Sequence, residues 1–188
     1  MNYLAINTAG KIEILLKINK RYYSSSYDDV STMALPHINE LLLKAKSSIN
    51  DIDVFGVCIG PGSFTGIRVG LSMIKALAYA LDKPIIAVTY FDILAYDNNI
   101  EQNELTTVID GKNNVSYIRN GNGEGVCIMK EDIKKYALKN IIYDTQYKGC
   151  GLKLIIEEKI RLKEFFDHSQ IAPLYLRKSQ PERQDGEI

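Results

Sequence analysis

The sequence predicts an α/β protein built from two related halves, and two observations carry that expectation. Val54 to Val88 reads as a buried strand (Val54–Ile59), a glycine-rich turn (Gly60–Gly62), a long helix (Ser63–Leu81) and, after Pro84, a second apolar strand (Ile85–Val88). The stretches beginning at Leu4 and at Thr107 follow one plan: an apolar strand ends in Asn7 or Asp110, a Gly-Lys turn follows, and a strand returns. Any β-hairpin needs similar turn chemistry, so this likeness suggests a duplication without proving one.

Taken in order, Tyr3–Thr8 and Ile12–Ile18 are strands around the turn Ala9-Gly10-Lys11, and the tyrosine-rich Arg21–Tyr27 pairs as a third. Ser31 or Thr32 opens a helix with an apolar stripe of Met33, Ile38, Leu41, Leu42, Ala45 and Ile49. Asp51 and Asp53 bracket the turn into the central strand, and Tyr90–Tyr96 is a short helix. The polar stretch Asp97–Asn103 is the expected boundary, dividing a first lobe (1–98) from a smaller second lobe (99–180). The second lobe reads as strands Leu105–Asp110, Val115–Arg119 and Gly125–Met129, a helix Glu131–Leu138, a strand Ile141–Tyr143 and a helical Leu152–Phe166. A strand-like segment from Ile171 then meets the basic pair Arg177-Lys178. Residues 181–188 are charged and aperiodic and read as a disordered tail.

The Gly60–Gly62 turn at a helix N-terminus is a candidate anion-binding turn, with Gly60, Gly62, Ser63 and Thr65 as its residues. It lacks the lysine of a P-loop, since Ile67 and Arg68 follow Gly66, and its glycines have the wrong spacing for a dinucleotide fingerprint. The alternative is a tight connection that lets the helix pack close to a sheet. That helix carries one apolar face (Ile67, Leu71, Ile74, Ala78, Leu81) and beside it a second, small-residue face (Gly66, Gly70, Met73, Leu77, Ala80). Only a narrow polar strip of Arg68, Ser72, Lys75 and Tyr79 remains, so burial on more than one side is expected. The second face is completed either within the chain or by another subunit.

Lys+Arg and Asp+Glu balance at 23 each, so no global field favours nucleic acid or membrane. Arg68, Lys75 and the pair Arg177-Lys178 can meet phosphates, but at zero net charge a solvated helix face and an ordinary charged tail are the favoured reading. The start enters a strand at once without a signal-peptide pattern, and no apolar run is expected to span a bilayer. Cys58, Cys127 and Cys150 read as reduced cytosolic thiols. The two histidines, His37 and His168, form no HxxxH or HExxH pair, no cysteines have zinc spacing, and Gly62-Ser63-Phe64-Thr65-Gly66 is one residue too long for a serine-hydrolase elbow. No catalytic or metal-binding residue is therefore assigned. His37 reads as a helix-face or interface residue, and Asp110 as a hairpin-turn acid.

Gly60-Pro-Gly-Ser-Phe-Thr-Gly-Ile-Arg-Val-Gly-Leu resembles the signature of the bacterial TsaB (YeaZ) family. The likeness extends to Leu4–Thr8, Leu35–Leu42, Lys83–Thr89 and Pro173–Gln180. It implies an actin-like (ASKHA, ribonuclease H-like) duplicated two-lobe fold with a reduced second lobe. It also implies a role in forming threonylcarbamoyladenosine beside the anticodon of tRNAs that read codons beginning with A. On the family pattern the chain is a cytoplasmic, non-catalytic scaffold. It pairs with a TsaD-type subunit, joined by a TsaE-type ATPase, and forms a homodimer when TsaD is absent. It meets tRNA only through the complex, needs no cofactor of its own, and leaves ATP and magnesium to the partner interface. Pairing uses helices 32–49 and 63–81, with His37, Leu41, Gly66, Arg68, Gly70, Met73, Leu77 and Ala80 as interface residues. Asn7 stands where the family usually has Asp, and an amide holds a metal–nucleotide complex less well than a carboxylate. The alternatives are a stand-alone nucleotide-binding actin-like protein, using the Gly60–Gly62 turn with Asn7 and Asp110, or a peptidase-like enzyme.

Overall fold

The computed structural model describes residues 1–27, 34–98, 102–137 and 140–177, and its larger sheet has five strands. β1 (Tyr3–Asn7), β2 (Ile12–Ile18) and β3 (Arg21–Tyr27) form an antiparallel meander, while β4 (Val54–Cys58) and β5 (Ile85–Val88) run parallel to β1, giving the order β3-β2-β1-β4-β5. β1 and β4 are buried at every position, as their continuous apolar runs require of strands covered on both faces. Parallel pairing demands crossovers, and α1 (Ala34–Lys44) and α2 (Phe64–Leu81) supply them on one face. There Leu4, Ile6, Ile14, Phe55 and Val57 meet Ile38, Leu41, Leu71 and Ile74 in one core cluster.

The second sheet repeats the plan. β6 (Thr106–Asp110), β7 (Val115–Asn120), β8 (Val126–Met129) and β9 (Ile141–Tyr143) lie in the order β8-β7-β6-β9, with β9 parallel to β6. This is the first lobe's order without its fifth strand, so the hairpin likeness reflects a real duplication. α3 (Tyr90–Asn98) and, after the four-residue α4 (Ile133–Tyr136), α5 (Gly151–Leu162) pack together between the two sheets. Their core cluster draws on both lobes, joining Ala5 and Leu15 to Ile93, Ile109, Tyr117 and Leu152.

Several expected boundaries move. Ser31, Thr32, Leu138 and residues 178–188 lie outside the described residues. α1 ends at Lys44, because Lys46 turns left-handed (φ 53°), and Ile49 belongs to a separate 3-10 turn, Ile49–Asp51. α3 continues through Asn98, so Asp97 is a buried helical residue and not the start of a polar loop. α5 stops at Leu162, where Lys163 adopts φ 57°. Phe166 instead pairs with Ile85 at the sheet edge. The segment from Ile171 forms no strand, although the Leu174 N–H donates to the Ile59 carbonyl at 2.8 Å. By length and composition, α2 is apolar enough to cross a membrane, contrary to the expectation that no run would be. It lies against the sheet, burying Gly66, Ile67, Gly70, Leu71, Ile74 and Ala78.

Candidate partner-binding face and lobe junction

The turn into α2 is built by close approach. Gly60 and Gly62 take φ of 113° and 151°, on either side of Pro61, whose peptide bond with Gly60 is cis. A side chain at Gly62 would strike the backbone of Ala9 in the first hairpin. The turn's own amides are largely spent inside the chain. The Gly60 N–H reaches the Cys58 sulfur, the Ser63 N–H donates to the Ala9 carbonyl at 2.6 Å, and the Ser63 hydroxyl oxygen caps the Gly66 N–H at 3.2 Å. Burial pushes the Cys58 thiol up to about 12. The glycines therefore act as a tight connection between β4, α2 and the first hairpin, with Thr65 alone of the four residues exposed.

The eight expected interface residues separate into two groups. Gly66 and Gly70 are buried against Thr8, so a side chain at either would collide with the end of β1. Leu41 is 3% exposed inside the α1–sheet core. Gly66 and Gly70 are thus covered within the chain by Thr8, and Leu41 by the core between α1 and the sheet. His37 stacks on Tyr27 with ring centroids 4.3 Å apart, its Nδ1 lying 3.3 Å from the Ser25 hydroxyl, and so ties α1 to β3. Met73 and Leu77 are half-buried, and Arg68 and Ala80 are exposed. The open face of α2 is thus a strip through Arg68, Ser72, Ala76, Tyr79 and Ala80. Tyr79 is 72% exposed, and Leu43 on α1 is 70% exposed, so this side of the first lobe presents large apolar groups to solvent.

Facing the other side, the two hairpins are joined through side chains the sequence did not single out. Gly10 packs on the ring of Tyr90, whose own ring meets Tyr147 edge-on at 6.4 Å. The Tyr147 hydroxyl donates to Glu13 Oε2 on β2, and the Asp110 N–H donates to Asp144 Oδ2 at 3.1 Å. Asn7 is fully buried; its carbonyl oxygen accepts from the Ala9 N–H at 3.0 Å, and its Nδ2 has no partner among the described residues. Asp110 pairs with Lys130 at 2.9 Å, and that contact holds its carboxyl below the usual range. Burial raises Glu13 to about 7, against the opposing bond from Tyr147. Burial also raises the Tyr90 and Tyr147 phenols. Among the described residues no three His, Cys, Asp or Glu side chains converge as a metal-binding group.

Asp97 anchors the junction. Its Oδ1 accepts from the N–H groups of Cys150 (2.7 Å) and Gly151 (2.9 Å), and its Oδ2 from Lys148, so a buried carboxylate sits on the positive end of α5. Asp97→Ala leaves these donors unsatisfied and is expected to cost about 2 kcal/mol, read as a lower urea midpoint at unchanged slope. Besides the hairpin residues Asn7 and Asp110, an acid inside an apolar strand, Ile12-Glu13-Ile14, is the sequence signal that could have found this region. Tyr147 and Asp97 gave none, because their partners lie more than fifty residues away.

Two solved structures share this architecture: YeaZ from Pseudomonas aeruginosa (TM-score 0.78, 21% identity, covering 93% of this chain and 99% of that one), and a Pseudomonas aeruginosa protein described as similar to peptidase YeaZ (0.79, 20%, 94% and 99%). The family model for TsaD, tRNA N6-adenosine threonylcarbamoyltransferase, matches residues 28–167. The chain belongs to the TsaB/TsaD family. Within the TsaB/TsaD family it is 32% identical over 87 residues to the tRNA threonylcarbamoyladenosine biosynthesis protein TsaB of Bacillus subtilis. It is 45% identical over 65 residues to the tRNA N6-adenosine threonylcarbamoyltransferase of Staphylococcus aureus. These matches cover 38% and 19% of those relatives, so the chain aligns with well under half of each. The YeaZ-like fold is actin-like, as the resemblance implied.

Proposed function

We propose that this chain is a non-catalytic partner subunit in threonylcarbamoyladenosine formation on tRNA. It pairs with a TsaD-type subunit, itself served by a TsaE-type ATPase, through the outer face of α1 and α2. The observation that carries this reading is the lobe junction. Between the two hairpins, where an actin-like protein would lodge a metal–nucleotide complex, stand Tyr90, Tyr147 and Glu13, whose proton burial holds to about 7. The residues there do not fit that group: the first hairpin carries the amide Asn7 in place of an acid, and the second-hairpin acid Asp110 is already paired with Lys130. Any ATP and magnesium belong to the partner or its interface. The uncovered strip on α2, with Tyr79 and Ala80 exposed, supports the pairing half of the reading, either with TsaD or, in its absence, with a second copy.

Reconstitution tests it. The chain alone is expected to show no transfer activity and no ATP turnover, yet to be required when the TsaD- and TsaE-type proteins of the same genome act on tRNA with threonylcarbamoyl-adenylate. Full modification without the chain would refute the proposal. Ala80→Glu, on the exposed strip, is expected to abolish co-elution in size-exclusion chromatography while the monomer keeps its melting temperature. Gly70 cannot serve this test, because it is buried against Thr8.

A further inference from the structure

Arg68 is held in one geometry although it lies on the surface. Its guanidinium carbon sits 3.9 Å from the Phe64 ring centroid and 5.8 Å from that of Tyr175, and the two rings stack at 4.7 Å. Its Nε donates to the Tyr175 hydroxyl oxygen at 3.0 Å. Tyr175 is itself fixed, since the neighbouring Leu174 N–H donates to the Ile59 carbonyl and Lys75 Nζ donates to the Ile171 carbonyl at 2.9 Å. The terminal nitrogens of Arg68 have no hydrogen-bond or ion-pair partner among the described residues, and α2 carries no acid that could claim them. A guanidinium whose plane and Nε are fixed while its fork stays open is ordered before anything binds. A planar two-oxygen acceptor then meets it bidentately with little further entropy lost.

We propose that Arg68, clamped by Phe64 and Tyr175, is the preorganised anchor for a carboxylate on the protein that docks along α2. The inference rests on the pairing reading above and gives the chemistry of the partner's side of that contact. The surroundings favour a protein over a polyanion. Beyond Arg68 the open strip is Ser72, Ala76, Tyr79 and Ala80, and the nearest further cation on the helix, Lys75, is engaged by Ile171. On the helix itself the fixed cation stands alone on a largely apolar strip, as at an interface hot spot, whereas phosphate backbones are met by several cations together; Arg177, two residues past Tyr175, is the cation that the tRNA readout must weigh. The segment from Ile171 to Leu176 thereby gains a role in recognition through Tyr175.

The experiment is calorimetric binding of the full chain to the threonylcarbamoyltransferase encoded in the same genome, with tRNA retention by the chain alone as a second readout. Arg68→Ala is expected to weaken pairing roughly thirtyfold and Arg68→Lys, which keeps the charge and loses the fork, about tenfold. Tyr175→Phe, which releases Nε, is expected to weaken it about threefold, with all three variants melting like the parent protein. If the parent pairs but Arg68→Ala and Arg68→Lys bind within a factor of about two of it, the anchor is wrong and the pairing reading stands. If the parent does not pair, both fall. Loss of tRNA retention in Arg68→Ala with intact pairing would assign the contact to phosphate and overturn the proposal.

Discussion

Gly66→Ala is expected to lower the melting temperature by about 6 to 12 °C, the largest effect of any single methyl group in α2. Helix propensity alone predicts the opposite sign, since alanine is favoured over glycine by about 1 kcal/mol within a helix. Packing decides the outcome. The third residue of α2 lies directly over the end of β1, and a Cβ there would overlap the Thr8 carbonyl oxygen, a backbone atom that cannot rotate away. Relief requires α2 to lift from the sheet, which loosens Ile67 and Ile74 in the core at a cost of about 4 kcal/mol. Ser72→Ala, on the exposed strip of the same helix, is the control and should leave the melting temperature unchanged or slightly raised. A Gly66→Ala protein that melts within 2 °C of the parent, by the ~2–4 °C per kcal/mol expected at this size, would show that the helix seat is not tight.

Stability is expected to fall by about 3 kcal/mol between pH 4.5 and pH 7 through Glu13 alone. The unfolded chain ionises this carboxyl near 4.5, whereas in the folded protein burial holds its proton to about 7. Below 4.5 the side chain is protonated in both states and its contribution is fully present. Between the two values unfolding releases a proton, so each step up in pH favours the unfolded chain. Above 7 the side chain is charged in both states and the slope vanishes. Asp110 and Glu157 are shifted the other way, by Lys130 and by bonds from Tyr22 and Lys17, so their contributions are lost only in more acidic solution. Urea unfolding of the parent and Glu13→Gln at pH 5, 6, 7 and 8 isolates the effect, because other groups cancel in the difference. A difference that stays flat across that range would mean that Glu13 is solvated.

Both predictions bear on what the sequence could reveal. The strands of the first lobe, the long helix and the repeated hairpin were legible, because alternation, helical spacing and turn residues are local signals. The face assignment of α2 was not. Gly66 and Gly70 mark close approach in the sequence, but whether the approaching group belongs to β1 or to another molecule depends on how the helix is rotated over the sheet. That rotation is set by Thr8, some sixty residues away. His37 was similar: an isolated histidine on a helix gave no hint of its stack on Tyr27. Asp97 looked like linker chemistry because acids favour turns, and its burial follows from the amides of Lys148, Cys150 and Gly151. Glu13, an acid amid isoleucines and leucines, is a local feature that could have pointed to the lobe junction, but nothing in the sequence set it apart from an ordinary strand acid.

The pairing of Phe166 with Ile85 has a consequence for how the molecule is made. Phe166 and Ile85 exchange both of their backbone hydrogen bonds, Leu174 caps the end of β4, and Ile171 fills the core under α2. The first sheet is encoded within residues 3–88, yet its far edge and part of its core wait for residues 166–174. During synthesis the nascent first lobe therefore holds an open β5 edge and an unfilled apolar notch until the second lobe has emerged and its trailing segment folds back. A polypeptide arrested before Phe166 is expected to be a substrate for chaperones, whereas release of the later segment closes both lobes in one cooperative step.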